Sequence, residues 1–380
     1  MKTYNVASPY FSNLEKRRIL AGTQKVLDGR LSTGPYTKEF EKKFAKFIGC
    51  KFAVFLNSCT SALEIAVKSL NLNSNDEVIV PCETFIATGM AVTSQGAKVV
   101  FANINSNTFC IDLDEIKKKR TKNTKALMLV HFGGYMPKDL KLIIQYCKRK
   151  NIKIIEDCAH ALGSKFGKYT AGNIGIAGCF SFFSTKTITT GEGGMLTTND
   201  KSIYKLALSL RERGRDWEKE GEQYAIGWRT CRVPEISAVI GINQFSNIKK
   251  IISHRMKISK IYNKEISKTG FLTALPIYKK AKLSIWKHIT LIKNNKIKRQ
   301  NLAKKLKDNH KIFINWAYDP PLHLQPVYKK YLKGRKKFRS SEDILSRHFH
   351  LPLHMQISEN DAKFVIKKVI EECNNILRSE

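Results

Sequence analysis

Apolar residues recur at helical spacing over residues 37–49, where Phe40, Phe44, Phe47 and Ile48 fall at i, i+4, i+7 and i+8 and Gly49 ends the run. A short buried strand is expected over 51–56. From Ser61 a second helix carries Ala62, Leu63, Ala66, Val67 and Leu70 on one face. The alternation continues with strands over 77–81, 98–104, 126–131 and 153–157 and helices over 85–95 and 138–150. Repeated short apolar strands with helical crossovers predict a mostly parallel α/β sheet covered on both faces.

After Asp157 the pattern changes to loop and strand, with strands over 179–183 and 195–198 and a helix over 201–213. Pro234 suits the first position of a helical segment running toward residue 268. Residues 270–350 then alternate short β-like pieces with the Lys-rich stretch 289–307, and 360–379 closes the chain as an amphipathic helix. A chain of 380 residues suits more than one core. The expected division is a large domain over 1–250 and a smaller C-terminal α+β domain over 251–380.

Composition narrows the class. Hydrophobic residues make up 42% of the chain, as in an ordinary globular enzyme. No apolar run is long enough to span a bilayer, and the first residues lack the apolar core of a signal peptide. The nine cysteines are scattered, with no C-x-x-C pair, which reads as reduced thiols and a cytoplasmic protein. Lys and Arg number 67 against 32 Asp and Glu, a net charge of +35. A solvated basic face, or steering of a phosphorylated substrate, accounts for this charge. Interleaved aromatic and basic residues of the RNA-binding kind are absent, so nucleic acid is not the expected partner.

Three segments carry chemistry. Asn57-Ser58-Cys59-Thr60-Ser61-Ala62-Leu63 places small hydroxyl residues between a strand and the first turn of a helix. Free N–H groups and the helix dipole there attract an anion such as a phosphate. The alternative is capping alone, since Ser61 to Glu64 fits a capping box. Asp157 stands at the carboxyl end of a buried strand, where ligands bind in open α/β sheets. A buried carboxylate needs a partner, which a protonated pyridine nitrogen, a helix N-terminus or a core cation would supply. His160, three residues on, either orients Asp157, covers a bound ring or is a satisfied core residue. The third segment runs from Cys179 to Met195 and delivers Lys186 into a loop rich in hydroxyls and glycine. Burial lowers a lysine's pKa, as imine chemistry requires. No metal-ligand spacing stands out.

Together these segments resemble the DegT/DnrJ/EryC1/StrS aminotransferases, the sugar-aminotransferase branch of the fold-type-I enzymes that use pyridoxal 5′-phosphate (PLP). The resemblance covers nearly the whole chain. It rests on Leu31–Pro35, NSCTSAL, EVIVPCETFIAT, the HFGGY loop at 131–135, EDCAHA, SFFSTKTITTGEGGM, Pro321–Pro326 and Leu351–His354, in that order. It implies the PLP-transferase fold and a homodimer with active sites at the interface. Lys186 matches the lysine that bonds to the cofactor aldehyde, Asp157 the partner of the pyridine nitrogen, and Phe85 the aromatic stacked on the ring. Thr60, Ser61 and Ser181 match phosphate-binding positions, and His160 a position near the ring. Residues 227–232, including Trp228, match a loop that reaches the partner subunit's site. Where the family often has an asparagine there, this chain has Thr230 or Arg229.

The implied reaction is amino transfer from glutamate or glutamine to a keto-sugar, carried on a nucleotide, for surface-polysaccharide or amino-sugar biosynthesis. One alternative is a PLP-dependent sugar dehydratase, whose family members carry histidine at the lysine position. Another is a non-catalytic basic binding or regulatory protein on the same fold.

Overall fold

The computed structural model describes residues 2–332 and 338–379. The first part of the chain holds α1 (Asn13–Leu27), α2 (Pro35–Ile48), β1 (Phe52–Leu56), α3 (Cys59–Lys68), β2 (Glu77–Pro81), α4 (Ile86–Thr93), β3 (Lys98–Ala102), α5 (Leu113–Lys119), β4 (Thr124–Val130), α6 (Leu140–Arg149) and β5 (Lys153–Asp157). There follow β6 (Lys165–Phe166), β7 (Tyr169–Thr170), β8 (Ala177–Ser181), β9 (Gly194–Thr198), α7 (Lys201–Arg211), α8 (Glu235–Ser246) and α9 (Ile248–Ile266). The last part holds β10 (Leu272–Ala274), β11 (Ala281–Lys282), β12 (His288–Ile292), α10 (Arg299–His310), α11 (Arg339–Arg347), β13 (His348–Leu351) and α12 (Glu359–Arg378).

Seven strands form the main sheet in the order β1-β9-β8-β5-β4-β2-β3. Strands β3, β2, β4, β5 and β8 pair in parallel, and β9 runs antiparallel to both β8 and β1. The expected mostly parallel sheet is therefore present. Alternate side chains go to opposite faces: Ile79 packs with Phe55 and Leu127 on one side, while Val78 and Val80 pack with Val54 and Met128 on the other. An aromatic cluster anchors the first face, with the Phe40 ring 5.1–6.0 Å from Phe44, Phe55, Phe182 and Phe245.

A second, antiparallel sheet, β10-β12-β13, is covered by α9, α10 and α12. Its core joins Tyr262, Ile289, Leu302, Phe349 and Val365 to Phe109 and Phe132 of the main sheet's loops. The N-terminal segment docks here too, since Tyr4 pairs with Ile312 and Leu353 N–H donates to the Val6 carbonyl.

Local differences from the expected elements have physical causes. Helix α3 begins at Cys59, and Ser58 caps it by accepting the Ser61 N–H at 3.1 Å. The Ser61–Glu64 capping box does not form, because Ser61 already lies inside the helix. The expected long helix after Pro234 is two helices that break at Asn247, and Pro234 caps the first rather than opening it. The Lys-rich stretch divides between β12 and α10.

Candidate active site

The carboxyl ends of β1, β2, β5 and β8 meet at one edge of the main sheet, the place where open α/β sheets bind ligands. A cavity of about 400 Å³ opens there. It is bordered by Ser58, Cys59 and Thr60 from the start of α3, Thr84 and Phe85 after β2, Asp157 and His160 after β5, and Ser181 and Lys186 after β8. Trp286, Lys287 and Tyr318 enter from the smaller sheet and its loops.

Asp157 is 6% exposed. Its carboxylate accepts the Thr88 hydroxyl at 2.7 Å and the Ala159 N–H at 3.1 Å, and Thr88 in turn contacts the Thr84 hydroxyl at 2.6 Å. Among the described residues no cation lies within ion-pair distance of Asp157. Lys186 likewise meets no carboxylate; its Nζ lies 4.2 Å from the centre of the Trp286 ring. Burial lowers the Lys186 pKa to about 8, against the opposing pull of Cys59 and Asp157. Two opposite charges thus share one cavity without touching, which leaves room for a group between them.

The anion end is built by the fold. Helix geometry leaves the N–H groups of Cys59 and Thr60 without intrahelical acceptors. Gly194 lets β9 pass close to this turn, since a Cβ there would meet the Ser58 carbonyl carbon at 2.3 Å and the Cys59 nitrogen at 2.4 Å. Ser181 borders the same cavity. Ser61 does not: its hydroxyl donates to Asn57 Oδ1 at 2.7 Å inside the turn. Phe85 is exposed at the rim and its ring lies 5.4 Å from that of Tyr318. The residues present fit PLP, with an anion turn, a carboxylate without a cation, a lysine of lowered pKa and aromatic walls in one cavity.

Trp228, Arg229 and Thr230 do not border this cavity of their own chain. The Arg229 guanidinium instead meets the Glu64 carboxylate and lies 5.2 Å from the centre of the Trp228 ring, and Thr230 pairs with Glu212. A larger groove beside α2 is lined by Lys38, Tyr204 and Trp217, but its buried charges, Glu41 and Arg211, neutralise each other at 2.7 Å. His131 and Cys158 gather around Glu156, whose carboxylate also accepts the N–H groups of Gly172, Ile174 and Gly175. That carboxylate is saturated and reads as a structural anchor.

Sequence reasoning missed Thr88, Trp286, Lys287 and Tyr318. Thr88 carries a usable signal, because it stands three residues after Phe85, one helical turn on. The other three come from segments about 100 residues or more beyond Lys186, and no local pattern ties them to it.

A sequence model described as the DegT/DnrJ/EryC1/StrS aminotransferase family matches residues 13–370. GDP-perosamine synthase of Escherichia coli O157:H7 is 33% identical over 98% of this chain and 99% of its own. The UDP-4-amino-4,6-dideoxy-N-acetyl-beta-L-altrosamine transaminase of Campylobacter jejuni is 29% identical, covering 93% of this chain and 94% of its own. Among solved structures, an aminotransferase from Streptoalloteichus hindustanus superposes with a TM-score of 0.90 at 26% identity, covering 98% of this chain and all of the other.

Proposed function

The chain belongs to the DegT/DnrJ/EryC1/StrS aminotransferase family and is a PLP-dependent aminotransferase; on that premise we propose that it moves an amino group from glutamate or glutamine to a keto-sugar linked to a nucleoside diphosphate. The observation that carries this reading is the pairing of Lys186 with Asp157 across one cavity beside an open helix N-terminus. The names of the two curated relatives, a GDP-sugar synthase and a UDP-4-amino-sugar transaminase, support the nucleotide and a keto group at carbon 4.

When bound, PLP supplies an electron sink that stabilises negative charge at the donor's α-carbon. The turn at Cys59 and Thr60, with Ser181, would hold its phosphate, Asp157 would keep its ring nitrogen protonated, and Phe85 and His160 would border the ring. Thr88 and the Ala159 N–H hold Asp157 in place. Lys186 Nζ, neutral at moderately alkaline pH, takes the proton from the donor's α-carbon and returns it on the other side of the transfer. Lysine at this position also disfavours the sugar-dehydratase alternative, whose family members carry histidine there.

In the same reading the chain divides near residue 250, the smaller part bringing Trp286, Lys287 and Tyr318 over the sugar. Two copies form the working enzyme. Leu14, Leu20, Leu27 and Leu31 on and after α1 are exposed, and the Trp228–Thr230 loop does not border the cavity of its own chain. Sedimentation should give a mass of two chains; a fully active monomer would remove this part. Among the described residues no helix is long and apolar enough to cross a membrane.

The function is tested by incubating the PLP-loaded protein with glutamate or glutamine and a panel of GDP-, UDP- and dTDP-linked 4-keto-6-deoxyhexoses. Formation of an amino-sugar nucleotide with matching loss of the donor is expected for at least one member. Release of a deoxygenated sugar without amine incorporation would favour dehydration instead.

A further inference from the structure

The His160 ring is fixed on three sides. It stacks on Trp286 with centroids 3.8 Å apart and planes 15° apart. Its Nδ1 accepts the Gly133 N–H at 3.3 Å, and its Nε2 lies 3.2 Å from the Tyr318 hydroxyl. A neutral imidazole has one N–H and one acceptor nitrogen. A backbone N–H only donates, so Nδ1 is the acceptor and Nε2 bears the hydrogen. Burial, together with the charges of Lys186 and Lys287, pushes the His160 pKa well down and keeps the ring neutral.

Consequently His160 Nε2–H donates to the Tyr318 oxygen. The tyrosine's own hydrogen then finds no acceptor among the described residues, and Tyr318 borders the cavity. Burial pushes the Tyr318 pKa well up, so that hydrogen is retained. The segment bearing Tyr318 is tied down as well, because its backbone N–H donates to the buried Glu83 carboxylate at 2.9 Å.

We propose that Tyr318 is a specificity-determining residue, a phenol held by the Gly133–His160 relay to donate one hydrogen bond to a sugar hydroxyl beside the carbon that receives the amine. The assignment rests on the keto-sugar reading above. A neutral donor suits an uncharged sugar oxygen, whereas the carboxylate of an amino-acid donor is better met by Lys287, which borders the same cavity. A site built to hydrogen-bond a hydroxyl also rejects an analogue lacking it far better than an apolar wall does.

The test uses full-length, PLP-loaded Tyr318→Phe, which keeps the ring and loses only the hydroxyl. With the panel sugar that wild type turns over fastest, KM for the sugar should rise about tenfold, the worth of one good hydrogen bond, while kcat stays within about twofold. The donor half-reaction, followed by cofactor absorbance with glutamate alone, should be unchanged. ¹⁵N spectra of His160 in the wild-type protein should show hydrogen on Nε2, a readout independent of any substrate. An unchanged sugar KM, a slowed donor half-reaction, or hydrogen on Nδ1 would each overturn the assignment. A wild-type protein that performs neither half-reaction would instead sink the proposed function, leaving the tautomer spectrum to decide the relay.

Discussion

Replacing Lys186 with alanine is expected to lower amino transfer by at least about a thousandfold, since positioned general acid–base catalysis alone contributes roughly 10²–10⁴-fold. In the proposed function alanine removes two roles together, the nucleophile that captures the cofactor aldehyde and the base that moves the donor's proton. Borohydride treatment should fix cofactor to the wild-type chain and not to the variant. The lowered pKa adds a signed pH dependence. The neutral amine is the nucleophile, so capture of PLP by apoprotein should slow about tenfold per unit below about pH 8 and level off above it. A capture rate that keeps climbing toward the ordinary lysine value of 10.5 would show that the amine is not desolvated. A variant retaining wild-type turnover would end the assignment.

Replacing Asp157 with asparagine should have the next largest effect, a loss of about a hundredfold or more in kcat. Removing one partner of a buried charge pair costs about 3–5 kcal/mol, and in the proposed function that pair is Asp157 with the protonated ring nitrogen of the cofactor. Asparagine has the same size and can still accept a hydrogen bond from Thr88 or Ala159. The apoprotein should therefore melt no lower than wild type, because a neutral amide is cheaper to bury than a carboxylate without a cation. Loss of activity with an unchanged or raised apoprotein Tm identifies a cofactor role. A lowered Tm with near-normal kcat would make Asp157 a structural residue.

Much of this architecture is legible locally. Strands β2 and β5 are five-residue strands built on short apolar centres, Val78–Val80 and Ile154–Ile155, flanked by charged residues or proline, and they form where the pattern places them. Helix α2 stops at Gly49, whose φ of 82° is a left-handed conformation that glycine adopts without steric cost. Strand β8 is shifted instead. It ends at Ser181, and Phe182 and Phe183, apolar enough to extend it, lie in the loop beyond. Phe182 is buried there by the aromatic cluster, and its N–H donates to the Gly193 carbonyl at 2.9 Å. Helix α1 shows the opposite failure, since only Glu15 and Val26 are buried and its leucines point outward. Periodicity detects a buried face and is silent where that face is absent.

Asp157 and the turn over 57–63 are readable because they stand at strand ends, and Lys186 because it lies in the hydroxyl- and glycine-rich loop that follows β8; strand ends of a parallel sheet converge whatever the loops do. The chain order of apolar runs dictates that convergence. What the tertiary structure alone decided is the rest of the cavity wall. Trp286, Lys287 and Tyr318 reach it only when the smaller sheet packs on Phe109 and Phe132, and the hydrogen on His160 Nε2 follows from a backbone N–H of Gly133. Such contacts join segments tens to more than a hundred residues apart, and no local propensity encodes which side chain arrives beside which.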